Sequence, residues 1–307
     1  MHAELMAAIS AAITNATGDR FTARDAKSAA GRSIHASFVV SDGKRRYFVK
    51  TGDASARVNF SAEADGLARL AATATLRLPD VICLDAGGNP DHPDFAFLVL
   101  EYLPLAGNTA ASQARLGASL ANLHRAVRNV DAAGMRFGLE RDNFIGTTAQ
   151  RNGWCDDWVT FFRERRLRFQ LQLAARNGHG GALQDAAARL LEGMPALFAA
   201  HAPQPSLLHG DLWSGNAGAL EGGTPVVFDP AAYCGDREAD LAMTELFGGF
   251  GAVFYEAYDE AWPRDPGYAV RRDLYNLYHV LNHLNLFGAA YLGQAQRLIA
   301  GLNAELA

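Results

Sequence analysis

The chain has 307 residues, 49% of them hydrophobic and 20% charged, which is enough for one large domain or two smaller ones around a sizeable core. A net charge of −5, with no run of like charge longer than Lys44-Arg45-Arg46, gives no cationic field for nucleic acid or anionic lipid, so neither is expected as a partner. Cys83, Cys155 and Cys234 are scattered and odd in number, and no apolar stretch reaches the ~20 residues of a membrane span, so a cytoplasmic protein with free thiols is expected.

Residues 1–17 are rich in alanine but carry Glu4 early and no basic lead, which predicts a short amphipathic helix rather than a secretory signal. Residues 33–50 hold two β-rich runs around Ser41-Asp42-Gly43, a hairpin signal. The segment 59–76 has helical spacing, and the apolar runs within 77–87 and 94–103, bounded by Pro, Gly or Asp, predict two strands. The first hundred residues therefore read β-β-α-β-β. After a break at Pro104, Ala106 and Gly107 the character changes. Leu116, Leu120, Leu123 and Val127 make an amphipathic stripe, further helices are expected over 154–177 and 181–200, and helices return from about 239. Between them lies the loop Ser206–Asn216, SLLHGDLWSGN, followed by a small hairpin, AGAL, the turn EGGT and PVVF.

That loop carries the chemistry. Asp211 and Asn216 are five positions apart, and Asp229 ends the next strand thirteen residues on. A carboxylate to orient and deprotonate an acceptor hydroxyl, with an amide oxygen and a second carboxylate as hard ligands for Mg2+, is what phosphoryl transfer requires. The spacing H-x-D-x-x-x-x-N matches the catalytic loop of the protein-kinase superfamily, with Gly210 in place of its Arg. Such a site also needs a strand lysine paired with a helix glutamate to hold the nucleotide phosphates. Only three lysines occur; Lys50 ends the strand YFVK, and Glu63 in the following helix is favoured over Asp65 as its partner. The segment SAAGRSIHASF stands where a phosphate-covering loop belongs, with Gly31 and Ser33 as candidate contacts, and Glu101 and Tyr102 fall where the two lobes join and adenine binds. The expected fold is α+β and protein-kinase-like: a small β-rich N-lobe over 1–103 and a larger helical C-lobe over 104–307.

The stretches LLHGDLWSGN, FDPAAYCGDREADLAMTELFGGF, LYNLYHVLNHLNLFG and FGLERDNFIGTTAQRNGWCDDWVTFFRERRL resemble the fructosamine kinase (ketosamine-3-kinase) family, which shares a superfamily with choline and aminoglycoside kinases. The resemblance implies an ATP- and Mg2+-dependent kinase that phosphorylates a sugar hydroxyl of small ketosamines or glycated proteins and so frees the amine. By position it implies Asp211 as base, Asn216 and Asp229 as Mg2+ ligands, and Lys50 with Glu63 as the ATP-phosphate pair. The family's glycine loop commonly opens with two glycines, where this chain has Ala30-Gly31.

Around this core, Trp213 reads either as a wall for the sugar or as packing beneath the loop. Asp240, and His209 beside the base, are expected to brace the catalytic loop. Asp142 and Asn143, with Gln150, are candidates for substrate contact or parts of a plain connection. His279 and His283 read as a packed helix face rather than a metal site. Competing readings are a kinase of another small alcohol, such as an aminoglycoside or amino alcohol, and a nucleotide-binding pseudokinase scaffold. The oligomeric state is not indicated.

Overall fold

The structure, a computed structural model, describes residues 2–29, 35–85, 94–126 and 136–307. Gly31, Ser33 and Val127 lie outside these described residues. Helix α1 (Ala3–Thr17) buries Ile9 and Ile13 completely. Strands β1 (Asp25–Ser28), β2 (Ala36–Ser41) and β3 (Arg46–Asp53) follow. A 3-10 turn at Ala54–Ala56, entered through the Asp53 carboxylate accepting from the Ser55 amide, leads into α2 (Arg57–Ala71). Strands β4 (Val81–Leu84) and β5 (Phe95–Glu101) complete a five-stranded antiparallel sheet in the order β1-β2-β3-β5-β4.

The period-2 alternation of β3 decides what faces what. Val49 packs with Ile9, Ile13, Val40 and Val99 on the α1 side. Phe48 and Lys50 point to the opposite face, where α2 lies, and Leu98 and Leu100 join Phe60 and Leu67 there. The β-β-α-β-β pattern expected from the sequence is present with one addition. Edge strand β1, DAKS, is short and largely exposed, so it carries no apolar alternation by which it could be read.

The remainder is mainly helical. Strand β6 (Leu105–Ala106) precedes α3 (Ala110–Arg125), which opens with a reciprocal Thr109/Ser112 capping box. A hairpin of β7 (Asn143–Ile145) and β8 (Thr148–Gln150) leads to α4 (Trp158–Phe161), a π-helical turn (Phe162–Leu167) and α5 (Arg168–Arg176). The single helix expected over 154–177 thus starts later, at the Asp157 cap, and widens in its middle. Helix α6 (Ala182–Gly193) runs on into a 3-10 segment, Met194–Phe198.

Next come β9 (Pro205–Leu208), β10 (Ala217–Leu220), β11 (Pro225–Val227) and β12 (Tyr233–Asp236). The hairpin β10-β11 is extended by β6, and β9 pairs with β12. The β9-β12 ribbon was not expected. Every residue in both strands is buried, so neither shows the half-polar alternation that marks a strand. Helices α7 (Glu238–Leu246), α8 (Ala252–Ala261), α9 (Tyr268–Phe287) and α10 (Leu292–Glu305) close the chain. Helix α9 runs through the centre of the main core, contributing Leu274, Tyr275, Leu277, Tyr278, Leu281 and Leu284. The two parts of the chain are tied at the back of the cleft, where the Val227 amide donates to the Arg77 carbonyl and the Arg77 guanidinium grips Glu101. No helix among the described residues is long and apolar enough to cross a membrane.

Since Ile13 is fully buried between α1 and the sheet, Ile13→Ala should lower unfolding stability by about 2–5 kcal/mol through lost transfer energy and a residual cavity. Urea denaturation followed by far-UV circular dichroism measures it; a loss below ~0.5 kcal/mol would mean that α1 is not part of the cooperative unit.

Candidate active site

Strand β9 delivers the loop from a buried apolar run, and the first residue past it, His209, is itself buried. Gly210 has φ +84°, and a Cβ there would fall 2.1 Å from the Ala231 carbonyl oxygen, so only glycine lets the loop lie against the segment after Asp229. The amides of His209 and Gly210 both donate to the Asp240 carboxylate on α7, at 2.7 and 2.8 Å. Burial alone would raise the Asp240 pKa, but the bond with His124 (3.1 Å), the charge of that ring and the Gly210 amide hold it below its ordinary value. His124 is fixed in turn by the Tyr258 hydroxyl, 2.9 Å away. His209 Nε2 donates to the Phe228 carbonyl, and its Nδ1 accepts from the Asp211 amide. Burial pushes the His209 pKa down, consistent with a neutral ring that ties two chain segments together.

Asn216 follows a 3-10 turn, Ser214–Asn216, and its side-chain amide donates to the Asp211 backbone carbonyl (2.9 Å) and to Asp211 Oδ2 (3.2 Å). Asp229 stands two residues past β11 with φ +58°, an uncommon left-handed conformation for a residue with a side chain. Across the cleft Lys50 is 4% exposed, and its ammonium donates to Asp229 Oδ1 at 2.6 Å and Glu63 Oε1 at 2.7 Å. Burial opposes that charge, but Asp229 and Glu63 more than compensate and raise the Lys50 pKa. Asp65, the other candidate partner, is paired with Arg69 instead.

The electrostatics are those of a cation site. Burial, then repulsion from Asp229, pushes the Asp211 carboxyl up to about 7 against the opposing bond from Asn216. Asn216 turns its NH2 to Asp211, which leaves Oδ1 without a donor among the described residues. An amide oxygen and a carboxylate, beside a second carboxylate that repels the first, form the hard-oxygen donor set that suits a divalent cation such as Mg2+.

These groups line one cavity of about 1010 Å3 between the sheet and the helical part. Lys50, Glu63, Glu101, Tyr102, Asp211, Trp213, Asn216 and Asp229 all border it. The Glu101 side chain is engaged by Arg77 and the Asp80 amide, and the Arg46 guanidinium sits 4.3 Å from the centre of the Tyr102 ring. Trp213 is half-buried at the cavity edge. A Cβ on Gly215 would fall 2.2 Å from its indole, so the ring lies on bare backbone. Outward from the indole run Phe247 (centroids 6.2 Å apart), His283 and the exposed Phe287. His279 is buried and held neutral, its pKa pushed down to about 3, while His283 Nδ1 bonds to the His279 carbonyl.

The hairpin β7-β8 differs from expectation. Asp142 is outside the cavity lining, and its carboxylate accepts from the Asn152 amide, closing the loop. Asn143 borders the cavity, but its side chain is fully engaged by protein: Nδ2 donates to the Ala232 carbonyl, and Oδ1 accepts from Gln150 and Asn152. The structure therefore places Asp142 outside the cavity lining and Asn143 at its wall, with a side chain bonded to protein groups. Asn152, Arg166 and Tyr278 complete this network and were not singled out from sequence, because an isolated amide, arginine or tyrosine has no motif to mark it.

Residues 5–305 match the family model described as fructosamine kinase. The chain is 45% identical to a probable ketoamine kinase of Synechocystis sp., over 94% of this chain and 93% of the relative. It is 40% identical to a chloroplastic protein-ribulosamine 3-kinase of Arabidopsis thaliana, over 82% and 74%. A solved Haemophilus somnus structure classed as a fructosamine-3-kinase superposes with a TM-score of 0.84 at 30% identity, covering 96% of both chains.

Because Asp240 is the acceptor for two buried loop amides, Asp240→Ala should lower stability by about 2–5 kcal/mol and leave both donors unmatched. Chemical denaturation measures the loss, and amide hydrogen exchange should accelerate at His209 and Gly210; unchanged protection there would show that Asp240 does not hold the loop.

Proposed function

This chain belongs to the fructosamine kinase family, and we propose that it transfers the γ-phosphoryl group of ATP to a sugar hydroxyl of ketosamines, marking glycated amines for repair. The observation that carries this reading is the convergence of Lys50, Asp211, Asn216 and Asp229 on one cavity, from segments far apart in the chain. The chain forms two lobes that divide near residue 103, a division supported by the pairing of β6 with β10 just beyond it. A cytoplasmic location is supported by three unpaired cysteines. The acceptors are small-molecule ketosamines or glycated proteins.

In this reading the triphosphate lies against Lys50, which exchanges part of its bond to Asp229 for phosphate oxygens while Glu63 holds it in place. Asn216 and Asp229 hold Mg2+, which when bound supplies neutralising charge to the phosphates. The acceptor hydroxyl bonds to Asp211. As its oxygen forms the new bond to phosphorus, the bond from phosphorus to the β-bridging oxygen breaks, the hydroxyl proton passes to the Asp211 carboxylate, and ADP departs. Trp213 offers a flat apolar wall and an indole N–H to the polyol. The direct bond from Asn216 to Asp211 couples the metal-holding amide to the base.

With a synthetic fructosyl- or ribulosyl-lysine as acceptor, Asp211→Asn should lower kcat by about 10²–10⁴-fold with little change in KM for ATP. Chelation with EDTA should abolish turnover and added Mg2+ restore it. A mutant with full turnover would remove Asp211 from its role, and a wild type that phosphorylates an aminoglycoside but no ketosamine would overturn the substrate.

Trp213→Ala should raise KM for the ketosamine about tenfold while KM for ATP stays within about twofold, as expected for one lost stacking and hydrogen-bonding surface. Initial-rate kinetics with each substrate varied separately measures this; equal effects on both substrates would assign the indole to loop packing.

A further inference from the structure

Between the π-helical turn and the segment after Asp229 runs a chain of buried side chains that nothing in the phosphoryl-transfer scheme uses. Arg166 is fully buried, and no carboxylate lies within ion-pair distance of it among the described residues. Its guanidinium lies over the rings of Tyr233 (4.2 Å) and Phe161 (4.7 Å) and donates to the Arg151 carbonyl and, through Nη2, to Asn152 Oδ1 at 2.7 Å. Asn152 Nδ2 donates to Asn143 Oδ1 at 2.6 Å, and Asn143 Nδ2 to the Ala232 carbonyl at 2.8 Å. In parallel the Tyr278 hydroxyl donates to Gln150 Oε1 at 2.8 Å, and Gln150 Nε2 to the Ala231 carbonyl at 3.1 Å.

The direction of the first chain is set at its far end. A guanidinium has no acceptor, so Asn152 must turn its oxygen to Arg166 and its NH2 onward, and Asn143 must do the same. The first chain therefore arrives at the main chain as a donor, and so does Gln150, whose NH2 faces both Asn143 Oδ1 and the Ala231 carbonyl. They meet it at Ala231 and Ala232, two and three residues past Asp229. On its other side Ala231 donates to the His209 carbonyl and lies against Gly210. One short segment is thus clamped between the hairpin amides and the loop that bears Asp211, and it carries Asp229 at its start, held in a left-handed conformation. A wide helical turn that aims a buried cation inward is an irregularity often found at functional sites.

We propose that Asn143, Gln150, Asn152, Tyr278 and Arg166 form a polarised positioning relay that sets Asp229 against Asp211; the catalytic part of this proposal rests on the kinase reading above. The isosteric swaps Asn143→Asp and Gln150→Glu keep shape but replace the final donor by an oxygen that repels the carbonyl. They should lower kcat for ketosamine phosphorylation about 10- to 100-fold, as expected for a displacement of catalytic groups on the ångström scale, with KM for the ketosamine within about twofold of wild type. By isothermal titration, the gain in AMP-PNP affinity on adding Mg2+ should shrink in the same variants. Arg166→Lys, which keeps a donor, should retain more of both properties than Arg166→Met. Tyr278→Phe removes a single hydroxyl and serves as the milder probe should a swap fail to fold. If kcat and the Mg2+-dependent gain both stay within about twofold of wild type while the melting temperature falls, the relay is structural only and the proposal fails. A rise in KM for the ketosamine alone would instead make these residues substrate contacts, and also overturns it. If the wild type turns over no ketosamine, the function fails, while the Mg2+-dependent binding of AMP-PNP still decides whether the relay sets Asp229.

Discussion

Lys50 carries its charge at 4% exposure, and such burial is tolerable only because two carboxylates reach the ammonium from different parts of the molecule. Glu63 comes from α2, on the same side of the five-stranded sheet, while Asp229 comes from the far side of the cleft. The triad therefore fixes the position of α2 against the sheet and the distance between the sheet and the helical part. A buried ion pair is a poor source of net stability, since desolvation offsets much of the attraction, and here its value is geometric. Of its two partners Asp229 is the more open to the cleft, with a side chain 32% exposed against 13% for Glu63.

A second constraint is that the loop bearing Asp211 has almost no regular structure to hold it. Its amides would be orphaned in a buried site; those of His209 and Gly210 find a partner on a helix, and that of Asp211 finds one in the His209 ring. Asp240 takes two amides from α7, and His124 and Tyr258 hold Asp240 from α3 and α8. The tight packing of α3 on α8 thereby reaches the cleft through three side chains. Rigidity in the loop is borrowed from three helices, of which only α7, through Asp240, announced that task in the sequence.

This explains what could be read from the sequence. Asp211, Asn216, Asp229 and Lys50 were legible because phosphoryl transfer requires particular donor types at fixed spacing, and Glu63 because one helical face had to meet the lysine. The β-rich start and helical remainder were legible from periodicity. Strands β9 and β12 were not, since burial on both faces erases the alternation. The bonding of the β7-β8 hairpin was illegible for a related reason. Asp142 and Asn143 look like substrate ligands as isolated polar residues, and only in three dimensions do their partners turn out to be Asn152, Gln150 and the Ala232 carbonyl. The sequence held no sign of Arg166, because arginine is ordinarily a surface residue and nothing local marks one that points inward.

The arrangement as a whole separates two demands that conflict. The site brings two carboxylates close together in a buried place, yet burial, and after it the repulsion from Asp229, raises the pKa of Asp211. Side chains long enough to reach both would also be long enough to relax away from each other. The fold instead fixes the backbone beneath them. His209, Gly210 and Ala231 are in direct contact, amides on one side and carbonyls on the other are matched, and a left-handed residue sits at the junction. The left-handed conformation at Asp229 and the polar density behind it thus answer one requirement, that two like charges stay together in a buried site.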